Sequence, residues 1–280
     1  MHDYWRAIPL SVRDALSRGA LNAKHTAWYY LLVVAVFFAA WLWGRHRPGR
    51  RARLQANPVG RRQIRREILT TIGSILIIGN VTPVLFLLGF GCYTQFYRDV
   101  EERGWPYFFL SILLMMIVQD GYFYWTHRLM HHRLLFLPFH RTHHRSTNPN
   151  PNPWTTYSIA PLEAIVASAV GVTTLMLVPA CGLALVTFSW INTSYAVYTH
   201  LGYELYPRNF CNHWLGRWIN TSVAHNTHHT RSRYNYSWDF LFWDRTMGTL
   251  DPKYRQRYRQ QASGCIEKRI DPKEEVTAVH

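Results

Sequence analysis

Acidic residues are scarce: sixteen Asp and Glu stand against thirty-one Lys and Arg. The four cysteines, Cys92, Cys181, Cys211 and Cys265, form no C-x-x-C pair. That absence argues against a zinc ribbon, a c-type haem attachment site and a disulfide framework. No G-x-G-x-x-G fingerprint is present, so nothing points to a dinucleotide fold within the chain. No H-E-x-x-H is present either, which removes the helical zinc site with its built-in general base. No repeat of solenoid period is visible. Charge itself is missing from four long stretches: Thr26 to Gly44, Ile68 to Tyr97, Gly104 to Gln119, and Ala164 to Thr199.

A helix crossing a bilayer takes about 20 predominantly apolar residues, and the first three stretches suit that. The third continues past Asp120 in apolar and aromatic residues to Trp125. The fourth would make a helix of roughly 54 Å at about 1.5 Å per residue, well beyond a hydrocarbon core of about 30 Å. Pro179, Cys181 and Gly182 interrupt it near its middle. It reads as a hairpin of two shorter helices, spanning or re-entrant. The chain is expected to be an all-α integral membrane protein with about four transmembrane helices.

The positive charge fits that reading better than nucleic-acid binding. Arg45, Arg47, Arg50, Arg51, Arg53, Arg61, Arg62, Arg65 and Arg66 all lie between the first two apolar stretches. Basic residues between spans mark the cytoplasmic side and meet anionic lipid headgroups. The first stretch begins about 25 residues in and its positive charge follows it, which predicts an uncleaved span with its N-terminus outside. From that arginine loop the second helix, about Leu69 to Phe90, runs outward, and Gly91 to Arg103 is external. The third, about Tyr107 to Thr126, returns. It and the hairpin, about Ile159 to Thr199, then both deliver their ends to the cytoplasmic face. Asn148-Pro-Asn-Pro-Asn-Pro153 cannot be helical and makes the turn before the hairpin.

Histidine is concentrated at those ends. Eleven of fifteen lie between His127 and His229. They form three clusters: His127, His131 and His132; His140, His143 and His144; His225, His228 and His229. His200 closes the hairpin and His213 stands apart. Imidazole is the commonest protein metal ligand, and residues three or four apart share a helix face. Each of the last two clusters therefore offers three ligands from about one turn. His127 pairs with His131 on a straight helix, or with His132 if the helix bends. One zinc ion takes four ligands, or three with an open position. Nine imidazoles exceed one ion and fit two, each with four or five nitrogen ligands. Imidazole suits iron, zinc, copper and nickel alike.

Carboxylates near the clusters are candidates for orienting the imidazoles. Asp120, Tyr124, His127 and His131 form one helical stripe. Asp120 there either orients a ligand or pairs with a buried arginine. Asp244 is a second candidate; Asp239 and Glu204 are weaker ones. Trp154, Tyr157, Trp190 and Tyr195 either line a path from the bilayer or simply pack. Two functions of metal-binding membrane proteins fit the residues poorly. A zinc-dependent membrane hydrolase lacks its general base and has too many histidines. A metal transporter places its site near the midplane, whereas these clusters lie at helix ends.

The ordered motifs resemble those of the fatty acid hydroxylase and sterol desaturase superfamily. They are Asp120-Gly-Tyr-Phe-Tyr-Trp-Thr-His127-Arg-Leu-Met-His-His132, His140-Arg-Thr-His-His144, His200-Leu-Gly-Tyr-Glu, Asn220-Thr-Ser-Val-Ala-His225-Asn-Thr-His-His229 and Phe242-Trp-Asp-Arg-Thr-Met-Gly-Thr249. The resemblance runs from about Tyr107 to Leu250. It divides the chain into a membrane region (residues 1–105), a catalytic region (residues 106–250) and a polar tail (residues 251–280).

The resemblance implies a di-iron oxidoreductase with a cytoplasmic helical cap. Such an enzyme uses O₂ to hydroxylate, desaturate or otherwise oxidise a C–H bond of a lipid such as a fatty acyl chain or sterol. The ligands carried over are His127, His132, His140, His143, His144, His200, His225, His228 and His229, with His131 in reserve. Some members carry a further histidine one turn before the counterpart of His200, where this chain has Ala196. Two external electrons are needed per turnover, so a separate ferredoxin, cytochrome or reductase is implied. The expected location is a bacterial inner membrane or a eukaryotic endoplasmic reticulum.

Overall fold

The structure is a computed structural model that describes residues 28–39, 41–42, 54, 59–146 and 152–262. Arg45, Arg47, Arg50, Arg51 and Arg53, the run from Asn148 to Pro151, and the tail beyond Ala262 lie outside the described residues. The architecture is mostly helical. In chain order the helices are α1 (Trp28–Ala39), α2 (Arg61–Leu87), α3 (Gly104–Met130), α4 (Arg141–His144), α5 (Pro161–Leu177), α6 (Gly182–Thr199), α7 (Ser222–Thr230), α8 (Phe242–Thr246) and α9 (Tyr254–Ala262). Two-residue strands β1 (Phe96–Tyr97) and β2 (Ala180–Cys181) pair in parallel.

Among the described residues, α3 is the one helix long and apolar enough to cross a membrane, and α1 and α5 are shorter apolar helices. Pro106 sits in the first turn of α3, where a missing N–H costs no intrahelical bond. One side of the helix buries Phe108, Ile112, Met115 and Gln119, while Phe109, Leu113 and Ile117 stay exposed. A helix turns about 100° per residue, so that exposed set forms one apolar stripe left open by the described residues. α2 begins at Arg61, earlier than the predicted start near Leu69, because the basic residues Arg61, Arg62, Arg65 and Arg66 continue the same helix as the apolar run.

The hairpin breaks where Pro179, Cys181 and Gly182 predict. α5 ends at Leu177, Val178 is extended, and α6 starts at Gly182. β2 in that break clasps β1 from the loop between α2 and α3, and Gln95 N–H donates to Leu175 O at 2.9 Å. Tyr97, Phe108, Ile112, Leu175, Val178 and Phe188 form the core beneath the clasp. This closes the end of the bundle remote from His127, roughly 34 Å away along α3 at about 1.5 Å per residue.

At the histidine end a second core joins Leu54, Cys211, Val223, Ala224, Leu241, Tyr254 and Tyr258. Tyr254 and Tyr258 belong to α9, which packs into this core. A third core packs Val33 and Val34 of α1 with Trp154 and Val197.

Candidate metal centre

The three histidine clusters do not make three sites. They interleave into two groups whose ring nitrogens all lie within 4.8 Å of one another inside each group. The first holds His127, His131, His140, His144 and His228; the second holds His143, His200, His225 and His229. Helix geometry explains the sorting. Positions i and i+4 differ by about 40° around the axis, whereas i+3 lies about 60° to the other side. His127 and His131, His140 and His144, and His225 and His229 are i, i+4 pairs, and each pair stays together. His143 and His228 are the i+3 members, and each crosses to the other group.

Within the first group, His127 Nε2 is 2.9 Å from His140 Nε2, and His228 Nε2 is 3.1 Å from both His131 Nε2 and His144 Nε2. Within the second, His200 Nε2 is 2.8 Å from His225 Nε2 and 3.2 Å from His143 Nε2. His229 Nε2 is 3.2 Å from His225 Nε2. The far side of several rings is tied down. His127 Nδ1 donates to Tyr236 O at 2.8 Å, His228 Nδ1 to Tyr234 O at 2.7 Å, and His200 Nδ1 to Ala196 O at 2.7 Å. A carbonyl only accepts, so the proton sits on Nδ1 and a neutral ring turns a bare lone pair inward from Nε2.

Burial keeps the rings outside the membrane helices neutral. It pushes His131 down to about 2 and His200 to about 4. His140, His143, His144, His225, His228 and His229 are lowered well below the ordinary imidazole value, first by burial and then by neighbouring imidazoles. The neutral ring is the metal-binding form. Lone pairs converging from several buried rings make a hollow suited to a cation, and the donor set fits metal ions.

Local sequence sets these positions. α3 runs straight through His127 to Met130, so the i+4 residue His131 joins the first group. The expected ligand His132 is exposed and outside both groups; a straight helix turns it about 100° away from His131. Phe136–His140 is a π-helical turn that feeds α4 and places His140 over His144. Thr221 caps α7 by accepting Ala224 N–H at 3.1 Å. Asn235 adopts φ 59°, a conformation asparagine tolerates. The reversal there lets the flanking carbonyls of Tyr234 and Tyr236 reach His228 and His127.

The carboxylates sort differently from expectation. Asp120 contacts neither a histidine nor an arginine in its described bonds. Its Oδ1 accepts the N–H groups of Trp238, Asp239 and Phe240 at 3.1, 2.8 and 3.1 Å. Asp244 accepts from Tyr236 N and Ser237 N, both at 2.9 Å, and acts on His127 only through the Tyr236 carbonyl. Glu204 accepts from Tyr198 Oη at 2.6 Å and Val223 N at 3.2 Å, holding the first turn of α7. Asp239 accepts from Gln119 Nε2 at 3.3 Å. The carboxylate that does touch a ring is Glu163, whose Oε1 lies 2.6 Å from His140 Nδ1. Its one sequence signal is that it is the last charged residue before the fourth apolar stretch.

The four aromatic residues suggested for a substrate path make packing contacts. Trp154 meets Phe38 and accepts from Thr71 through its carbonyl. Tyr157 meets Tyr30 and donates to Thr193 Oγ1 at 3.3 Å; Trp190 meets Tyr29 edge-on. Tyr195 Oη donates to Asn220 O. His213 is exposed and outside both groups.

Comparison with known proteins agrees with the motifs. Residues 112–249 match the fatty acid hydroxylase family. The chain is 26% identical over 233 residues to a Delta(7)-sterol 5(6)-desaturase of Aspergillus fumigatus, covering 75% of this chain and 72% of the relative. It is 28% identical over 217 residues to a Delta(7)-sterol 5(6)-desaturase of Gibberella zeae, covering 75% and 65%. It is 30% identical over 195 residues to lathosterol oxidase of Rattus norvegicus, covering 67% and 61%. No solved structure matches. With every histidine of both groups inside the matched span, the chain belongs to the fatty acid hydroxylase and sterol desaturase superfamily.

Proposed function

We propose that this protein is a membrane-embedded di-iron oxidoreductase that uses O₂ and external electrons to hydroxylate or desaturate a C–H bond of a lipid. The observation that carries the reading is the sorting of nine imidazoles, eight of them buried and His131 half-buried, into two convergent groups. The first group would hold one ion through His127, His131, His140, His144 and His228. The second would hold the other through His143, His200, His225 and His229. Metal–nitrogen bonds of about 2.1 Å set neighbouring nitrogens about 3.4 Å apart in a tetrahedron and about 3.0 Å apart at right angles. Six pairs lie 2.8–3.2 Å apart and the rest lie within 4.8 Å, which lets the rings of each group converge on one ion.

Iron bound there, with O₂, supplies redox power that acid–base side chains lack. The chain's own residues orient the rings through carbonyls and carboxylates, and their burial excludes water. The apolar outer stripe of α3 and the helices of the hairpin set this centre at a bilayer face, where a lipid reaches it without leaving the membrane. The relatives named for sterol desaturation and lathosterol oxidation favour a sterol-like or other lipid substrate. We read four spans, the second pair formed by α5 and α6, with the histidine groups on the cytoplasmic side and a separate electron donor docking there.

The test is metal analysis of protein purified from iron-replete cells, together with lipid profiling on heterologous expression. Two irons per chain and a new oxidised or unsaturated lipid are expected. A single zinc per chain with an unchanged lipid profile overturns the reading.

A further inference from the structure

Glu163 stands apart from every other group behind the imidazoles. The nearest described Nδ1 partners of His127, His228 and His200 are backbone carbonyls, with the Thr199 hydroxyl a longer second contact of His200 at 3.4 Å. His140 Nδ1 instead faces a carboxylate oxygen at 2.6 Å, with both side chains buried. Glu163 Oε2 has no hydrogen-bond partner among the described residues, so His140 is the one side chain bonded to this carboxylate in its described contacts. Its place is fixed by local sequence. Pro161 opens α5, and Glu163 follows in the first turn, where the helix dipole favours an anion.

A carbonyl accepts an imidazole N–H and does little else. A carboxylate draws that proton toward itself and raises the donor strength of the opposite nitrogen. Here the opposite nitrogen is His140 Nε2, which faces the five-histidine group. We propose that Glu163 is a positioning residue that fixes the His140 ring and makes the ion in the five-histidine group the more electron-rich of the two. The four-histidine group has one donor fewer, and behind His200 stand the Ala196 carbonyl and the Thr199 hydroxyl, with no carboxylate among the described contacts. The two ions are therefore inequivalent, and Glu163 is a principal source of the difference. The inference rests on the two-iron reading above.

The experiment compares wild-type protein with E163Q and E163D, each purified with Mössbauer-active iron. Wild type is expected to show two iron components in equal amount. E163Q moves or loses one component and leaves the other in place, with affinity for that ion lower by about 10- to 100-fold. E163D keeps the charge at one methylene's remove and gives an intermediate spectrum; it is also the variant to rely on if E163Q does not accumulate. A merely structural role would alter yield or melting temperature without moving one component selectively. Spectra and affinities at wild-type values in the variants, or equal shifts of both components, overturn the inference. Wild-type protein without a pair of irons overturns the preceding section instead, before Glu163 is tested.

Discussion

The five-histidine group takes His127 and His131 from α3, His140 and His144 from the π turn and α4, and His228 from α7. The four-histidine group takes His143 from α4, His200 from the end of α6, and His225 and His229 from α7. What stands behind the rings differs more than the ring count. His200 is braced within its own helix end, by the carbonyl four residues earlier. His127 is braced by Tyr236, more than a hundred positions along the chain. That carbonyl depends on the loop from Tyr234 to Phe240, which is pinned by Asp120 at one end and Asp244 at the other. One group is thus braced partly by local helix geometry and the other by long-range contacts to an irregular loop. Damage to that loop reaches the five-histidine group first.

The largest effect is expected from removing a ligand where none is spare. His143→Ala leaves three imidazoles in its group, and activity drops to background with one iron retained, read by turnover and metal content. His131→Ala leaves four in the other group and keeps a measurable share of turnover. Equal losses in the two variants would break the comparison. Next in size is Asp120→Ala, which orphans three backbone donors at a cost on the order of 1–3 kcal/mol each. A lower melting temperature and preferential loss of iron from the five-histidine group are expected. Equal loss from both groups would show that the loop serves them alike.

Acid is gentler. The folded His200 titrates near 4 and an exposed imidazole near 6.5. Between those values the unfolded chain binds more protons, so the stability of metal-free protein is full above about pH 6.5. It falls by about 1.4 kcal/mol per pH unit for each such ring as pH drops toward 4. Melting curves of metal-free protein across that window check the slope. The smallest effect belongs to His132→Ala, whose turnover and iron content stay at wild-type values because the side chain is exposed.

Periodicity and composition made much of this legible. The histidine spacing announced convergent imidazoles, the count suggested two ions and the rings do sort into two groups, and Pro179 with Gly182 announced the hairpin break. The choice between His131 and His132 was not legible, because it hangs on whether α3 stays straight past His127. Asp120 shared a stripe with His127 and suggested a direct contact, yet its partners are backbone amides from a loop that sequence spacing does not locate. Glu163 was invisible for the same reason: its partner His140 sits beyond the Asn- and Pro-containing turn, and no helical period links the two.

The exchange of His143 and His228 between groups has a consequence for assembly. The π turn and α4 together would hold one ion at two points, His140 and His144, and reach the other through His143, and α7 would do the reverse. On the two-iron reading, seating either ion sets the rotation and spacing of both helices. A half-loaded chain therefore carries its second vacancy already shaped, and uptake proceeds as a cooperative, zipper-like step instead of two independent captures.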